Sequence, residues 1–217
     1  MHYSALNWLV LNINEDEVKG KKILEVGSRN VNGTIRPFIM KYAPKSYVGI
    51  DYVSGDSVDL IADARLLVEK FGENIFDVVI STEMLEHAED WRAVVNGIKG
   101  VLKPNGLLII TTRSPGFPYH AYPYDYWRYT LEDFNEIFSD LEILVLARDD
   151  KTNPGVLIKA KKPLTFSPKN LENVFLYSVI SCRRESRVPK MSIKRKIQIQ
   201  SISKLFSLKT SVRERIK

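Results

Sequence analysis

The chain has 217 residues with 44% hydrophobic and 27% charged, an ordinary globular balance that excludes a disordered chain and leaves ample residues to bury a core. No apolar run approaches the roughly 18 residues of a membrane-spanning helix, the start lacks the basic stretch of a secretion signal, and a single cysteine, Cys182, excludes an internal disulfide or a cysteine-held zinc, so a cytoplasmic location is expected. The net charge of +6 averages two unlike parts: residues 1–158 hold 16 Lys and Arg against 23 Asp and Glu, whereas residues 159–217 hold 16 against 3.

In chain order, a first helix is expected near residues 3–11, lying over a sheet edge. Then short apolar runs alternate with helical patterns: KILEV (22–26), SYVGI (46–50), FDVVIS (76–81), GLLIITT (106–112), LEILVLA (141–147) and GVLIKA (155–160). Runs this short and this apolar, spaced widely enough for helices, predict strands buried on both faces of a mostly parallel sheet. The fold class is α/β. The intervening helices are predicted over residues 34–42, 64–71, 90–102 and 130–138, the last opened by the Thr130 and Asp133 capping pair. Residues 104–106, Pro-Asn-Gly, predict a turn into the following strand.

Open α/β sheets bind ligands beyond the carboxyl ends of their strands. The first strand ends in Glu25, Val26 and Gly27, and its loop keeps only Gly27 and Gly33, which disfavours a dinucleotide with its pyrophosphate. Asp51 ends the second strand, where a carboxylate can take both hydroxyls of a ribose, and Asp63 beside the small Ala64 suits an adenine ring and its amino group. A nucleoside without a pyrophosphate fits better. Each of these acceptors alone would equally serve as a helix cap.

Taken together, ILEVGSRNVNG, YVGID, ADARLL, FDVVISTEMLEH and GIKGVLKPNGLLIITT, in this order, resemble the class I S-adenosylmethionine-dependent methyltransferases, in particular the small-molecule family with an LEH segment after the fourth strand. The resemblance covers about residues 20–160 and implies a Rossmann-like seven-stranded sheet whose last hairpin is antiparallel. It implies S-adenosylmethionine as cofactor, with Glu25, Gly27 and Ser28 at the methionine part, Asp51 at the ribose, Tyr52, Asp63 and Ala64 at the adenine, and Ser81 and Thr82 beside the sulfonium. The departure is the loop from Ser28 to Asn32, which replaces the family's repeated glycines; Asn30 and Asn32 tolerate a positive φ and can stand in for them.

Methyl transfer asks little covalent help of a protein beyond in-line geometry and a base for a protonated nucleophile. Three features compete for that role, of which the third, Tyr52, is expected rather to stack near the adenine. Glu83, Glu86 and His87, spaced i, i+3, i+4, would share one face of a helical turn and could hold a divalent ion, as in the similar metal-binding segment of ubiquinone-biosynthesis O-methyltransferases. A metal is the less favoured reading, with His87 then only orienting the substrate loop. The second cluster is the aromatic loop at residues 114–130, whose His120 is the leading base candidate; the alternative is that His120 and Arg128 only staple the loop. Similar aromatic segments in methyltransferases encoded near polysaccharide enzymes imply a small-molecule or sugar-linked acceptor. Oxygen is the expected methyl target, because the site offers bases and lacks the Asn/Asp-Pro-Pro-Tyr segment used on exocyclic amines.

Two domains are therefore expected: residues 1–162 binding S-adenosylmethionine, and 163–217 as a basic extension, with a docking helix over 171–181 and apolar residues at helical intervals beyond it. The extension's expected partner is an anionic membrane surface; nucleic acid is disfavoured by the scarcity of aromatics beyond residue 182. The competing function class is an S-adenosylmethionine-binding protein of the same fold that has lost catalysis and acts through its basic tail.

Overall fold

A computed structural model describes residues 2–120, 124–191 and 193. Helix α1 (Tyr3–Asn12) and the single turn α2 (Glu15–Val18) lead into β1 (Lys22–Val26), then α3 (Arg36–Met40), β2 (Ser46–Asp51) and the two-residue β3 (Leu60–Ile61). A 3-10 turn (Ala64–Leu66) runs into α4 (Leu67–Phe71), followed by β4 (Phe76–Thr82), a second 3-10 turn (Leu85–His87), α5 (Trp91–Val101) and β5 (Leu102–Arg113). The chain continues through β6 (Trp127–Arg128), α6 (Leu131–Ile137), β7 (Glu142–Arg148), β8 (Gly155–Lys161), β9 (Leu176–Ser178) and β10 (Arg183–Glu185).

The main sheet has the order β3-β2-β1-β4-β5-β8-β7, parallel except for β8, which runs antiparallel to both β5 and β7. The seven-stranded sheet and reversed last hairpin are thus as expected. The sheet alternates its apolar side chains between two layers, as the period of two requires. Ile23, Val78, Ile80, Leu107 and Ile109 pack on one face with Leu9 of α1 and Ile39 of α3. Leu24, Val26, Val79, Leu108 and Ile110 pack on the other against α4, α5 and α6. Helix α1 therefore covers a face of the sheet rather than its edge, because its buried Ala5 and Leu9 need an apolar layer and not a row of backbone groups. The expected turn at residues 104–106 interrupts a strand: Phe76 pairs with Leu102, but Val78 pairs with Leu107, and Asn105 takes a left-handed φ of 61°.

Capping follows the sequence closely. Thr130 and Asp133 exchange side-chain and backbone hydrogen bonds in a capping box, and Asp90 accepts the Ala93 N–H to open α5. The segment at 171–181 departs from expectation. It holds β9 rather than a helix, pairing with β6 and β10 in a second, three-stranded sheet. The cause is long-range: the Arg92 guanidinium takes the carbonyls of Leu171 and Val174, which a helix would need for itself, together with that of Ser186. Leu171, Val174 and Leu176 are buried in the same core as Trp127 and Phe134, so the packed unit runs past residue 162, where a boundary was expected. The apolar positions beyond residue 193, read as a membrane-facing helix, lie outside the described residues.

Candidate active site at the switch point

The chain leaves β1 toward β2 on one side and leaves β4 toward β5 on the other, so the carboxyl ends of β1 and β4 form the topological switch point where such sheets open a crevice. A cleft of about 800 Å³ lies there. Its floor begins at Gly27, whose φ is +79°; the amides of Gly27 and Ser28 both donate to the Ile50 carbonyl, turning the chain sharply away. A Cβ at Gly27 would stand 2.5 Å from Met84 Cγ, so only glycine fits between the two strand ends. Asn30 and Asn32 do not take positive φ. Instead Asn30 Oδ1 accepts the Gly33 N–H at 2.9 Å and Asn30 Nδ2 donates to Asp56 at 2.8 Å, so side-chain bonds give the loop its shape.

Of the residues assigned by resemblance to the cofactor, Glu25, Gly27, Ser28, Asp51, Tyr52, Asp63, Ala64 and Thr82 all line the cleft. Glu25 is 1% exposed and accepts the Tyr47 hydroxyl at 2.7 Å; burial pushes its carboxyl up to about 7. Ser28 is buried with no hydrogen-bond partner for its hydroxyl among the described residues. The Asp51 carboxylate accepts the Val53 N–H at 3.1 Å and no other bond among those seen, and Asp63 is held below the usual carboxylate range by the guanidinium of Arg65. Ser81 departs from expectation: it is fully buried and does not line the cleft, because the β4 pleat turns it to the side of Val79, into the packed layer.

The opposite end holds all three histidines of the chain, His2, His87 and His120. Glu83, Glu86 and His87 do not share a face. Glu83 takes a left-handed φ of 53° ahead of the 3-10 turn, and its carboxylate pairs with buried Arg113 and accepts the His2 backbone N–H at 3.1 Å. Glu86 turns inward, fully buried, and accepts the Thr112 hydroxyl at 2.7 Å. Its other oxygen stands 3.7 Å from His120 Nε2. The carboxylate and imidazole atoms that converge within 4.8 Å are those of Glu86, His87 and His120, with Glu83 outside the group.

His87 Nδ1 lies 2.5 Å from the Tyr124 carbonyl, so in the neutral ring Nδ1 carries the proton and Nε2 the lone pair. His120 is different. Burial works against its cation, yet the carboxylates of Asp125 and Glu86 outweigh burial and raise its pKa to about 9. His2, which sequence reasoning missed, is pushed down to about 4 by burial and by Arg113. Asp125 was missed as well; its spacing of three from Arg128 was the available signal. Tyr124 and Tyr126 stack at 5.9 Å between ring centres on the cleft wall.

A parallel sheet with a reversed last hairpin and a cleft at its switch point is the fold of class I S-adenosylmethionine-dependent methyltransferases. The comparisons agree. A family model described as a methyltransferase domain matches residues 5–149, and the chain belongs to that family. Among curated proteins it is similar to the ubiquinone biosynthesis O-methyltransferase of Actinobacillus pleuropneumoniae, 32% identical over 112 residues, which covers 43% of this chain and 46% of that one. It is similar also to an uncharacterized protein, YafE, of Escherichia coli, 32% identical over 103 residues, 45% of this chain and 48% of that one. The chain thus spans about half the length of the curated relatives it matches. In fold it is similar to the Burkholderia thailandensis 1,6-didemethyltoxoflavin-N1-methyltransferase, solved with S-adenosylhomocysteine and 1,6-didemethyltoxoflavin, at 14% identity and a TM-score of 0.60 over 74% of this chain and 79% of that one. Among the described residues no helix is long and apolar enough to cross a membrane.

Proposed function

We propose that the protein transfers a methyl group from S-adenosylmethionine to an oxygen of a small-molecule or sugar-linked acceptor. The observation that carries this reading is the division of one cleft: carboxylates Glu25, Asp51 and Asp63 at the strand ends on one side, and every histidine of the chain on the other. The residues present fit the cofactor. The Gly27 cradle, closed to any Cβ by Met84, and the unpartnered hydroxyl of buried Ser28 leave room and a polar group where the methionine part would lie, Asp51 has capacity for the ribose hydroxyls, and Ala64 with Tyr52 flanks the adenine position. When bound, the cofactor supplies the methyl group on a sulfonium that leaves readily.

The protein's own task is then to place the acceptor and remove its proton. His87 suits the second part better than His120, because the Tyr124 carbonyl fixes its tautomer and leaves Nε2 as the atom that takes a proton. His120 has carboxylates facing both ring nitrogens, at 3.1 and 3.7 Å, an arrangement that a proton fills better than a divalent ion, so a metal is not favoured. Calorimetry with S-adenosylhomocysteine tests the reading. Binding is expected, and Asp51→Ala should weaken it by about 1.5 to 3 kcal/mol, the worth of hydrogen bonds to a charged group, in a folded protein. Unchanged affinity removes Asp51 from the site; binding without turnover on any phenol or sugar hydroxyl favours the non-catalytic alternative. For the basic tail we infer an anionic membrane surface, supported by the excess of 16 basic over 3 acidic residues in 159–217. Sedimentation with anionic vesicles, before and after removal of residues 194–217, tests it.

A further inference from the structure

The aromatic loop carries a buried ion pair to which the methyl-transfer reading assigns no part. Asp125 and Arg128 are shut off from solvent and joined by two bonds of 2.5 and 2.6 Å. Arg128 directs its remaining donors to the carbonyls of Phe117, Pro118 and Trp127 at 3.3, 2.9 and 2.8 Å, which anchors both limbs of the loop. Asp125 Oδ2 accepts the backbone N–H of His120 at 2.9 Å and lies 3.1 Å from its ring Nδ1. On the opposite edge, Nε2 faces the buried oxygen of Glu86. The rings of His87 and Phe117 each meet the imidazole edge to face, both at 4.9 Å. The ring is therefore flanked by a carboxylate at each nitrogen and by an aromatic ring on each of two sides. Both carboxylate side chains are 0% exposed, whereas His120 keeps 32% and lines the cleft, so the ring faces the cleft and the carboxylates lie behind it.

We propose that Asp125 is a positioning residue, which holds His120 as an imidazolium at the acceptor end, and that this end takes an acceptor bearing an electron-rich oxygen, a carboxylate or a hydroxyl that ionises as His87 takes its proton, and not a protonated amine. The inference rests on the reading of the cleft as a cofactor and acceptor site. The groups around the ring bear it out physically. Asp125 and Glu86 hold the proton on; Arg128 on the same loop, Arg113 with its partner Glu83, His87 on the 3-10 turn and His2 ahead of α1 complete the surroundings. Burial disfavours the cation and the two carboxylates prevail, which is the origin of the pKa of about 9 for His120; burial likewise opposes the charge of Asp125, but Arg128 and His120 hold its carboxyl at about 2.

Three histidines make the test direct, since ring signals of protein labelled with carbon-13 at histidine can be assigned with His2→Gln and His87→Gln. In protein saturated with S-adenosylhomocysteine, His120 should remain protonated through pH 8. Asp125→Asn should lower its proton affinity tenfold or more, and Asp125→Glu should restore part of it, a pattern a merely structural role does not produce. Benzoate should shift the His120 signals of the parent protein and not those of Asp125→Asn, while benzylammonium should leave both unmoved. A midpoint for His120 at or below the ordinary imidazole value of 6.5, an unmoved midpoint in Asp125→Asn, or an equal response to benzylammonium overturns the proposal. Should Asp125→Asn fail to fold, the parent titration and the two probes decide. Failure to bind S-adenosylhomocysteine at all refutes the site reading itself, which is a separate result.

Discussion

Glu25→Gln should stabilise the folded chain at alkaline pH, although it alters a residue of the proposed cofactor site. Glu25, the last residue but one of β1, is 1% exposed, and the one hydrogen-bond donor to its side chain among the bonds seen is the Tyr47 hydroxyl. Burial is the largest influence on its carboxyl and Asp59 pushes the same way, while the Tyr47 bond and the Arg36 charge oppose; the pKa rises from 4.5 to about 7. A carboxyl whose folded pKa is raised binds its proton more tightly in the native state than in the unfolded chain. That stability is complete below the unfolded value of 4.5 and is lost as pH rises through about 7. At 1.36 kcal/mol for each unit, the loss amounts to about 3 kcal/mol by pH 8. Glutamine keeps an oxygen to accept the Tyr47 hydroxyl and has no charge to bury. Urea unfolding should therefore give the variant an advantage of under about 1 kcal/mol at pH 5, growing to about 2 to 3 kcal/mol at pH 8, roughly 4 to 12 °C in Tm for a domain of this size. Affinity for S-adenosylhomocysteine should fall in the same variant, since an amide no longer pairs with an ammonium group. Equal stability at pH 8, or the same advantage at pH 5, refutes the reasoning.

The sheet was legible in the sequence because its signal is local. Six apolar runs bounded by turn residues have few alternatives, whereas the reversed last hairpin was expected only from the family resemblance; the short connection from Asp149 to Pro154 leaves no room for a crossover helix. Helix α1 and the segment at 171–181 were misplaced for the opposite reason. Each had helical or apolar content that did not say which layer would receive it, and in the second case a guanidinium about eighty residues upstream claimed the carbonyls. The cofactor side of the cleft was readable because Glu25, Asp51 and Asp63 lie at or within two residues of the carboxyl ends of strands, and strand ends are fixed once the sheet is known. Ser81 could have been excluded by the parity of β4, since it shares the side of Val79. The acceptor side depends on backbone geometry that residue spacing does not encode. The left-handed Glu83 separates it from Glu86, and His2 reaches the cleft only because α1 packs across the sheet and brings its ring 5.3 Å from Phe117.

Gly27→Ala combines the strain of a left-handed backbone, about 1 to 2 kcal/mol, with a Cβ 2.5 Å from Met84 Cγ, so Tm should fall by several degrees and S-adenosylhomocysteine affinity with it; an unchanged melting curve counts against the close approach. His87→Gln should leave that affinity within about twofold and slow methyl transfer by roughly 10² to 10⁴, with an unchanged rate removing His87 as the base. Lys99 tests whether stability can be lowered without touching the cleft. Its ammonium is 1% exposed, on α5, and bonds both oxygens of Asp140 at 2.7 and 2.9 Å and the Ile137 carbonyl at 2.6 Å, fastening α5 to the end of α6. Asp140 also accepts the Lys169 N–H at 2.9 Å, so removing the lysine leaves a carboxylate in the packed layer with one neutral donor. Lys99→Met should therefore cost about 3 to 5 kcal/mol, most of it the price of an uncompensated charge. If that is the cause, adding Asp140→Asn, which keeps an acceptor for Lys169 and removes the charge, should recover more than half of the loss. The two changes should be strongly non-additive, and S-adenosylhomocysteine affinity should be unaltered in every folded variant, because neither residue lines the cleft. Simple additivity in urea unfolding would mean that the lysine contributes by packing its methylenes and not by answering Asp140.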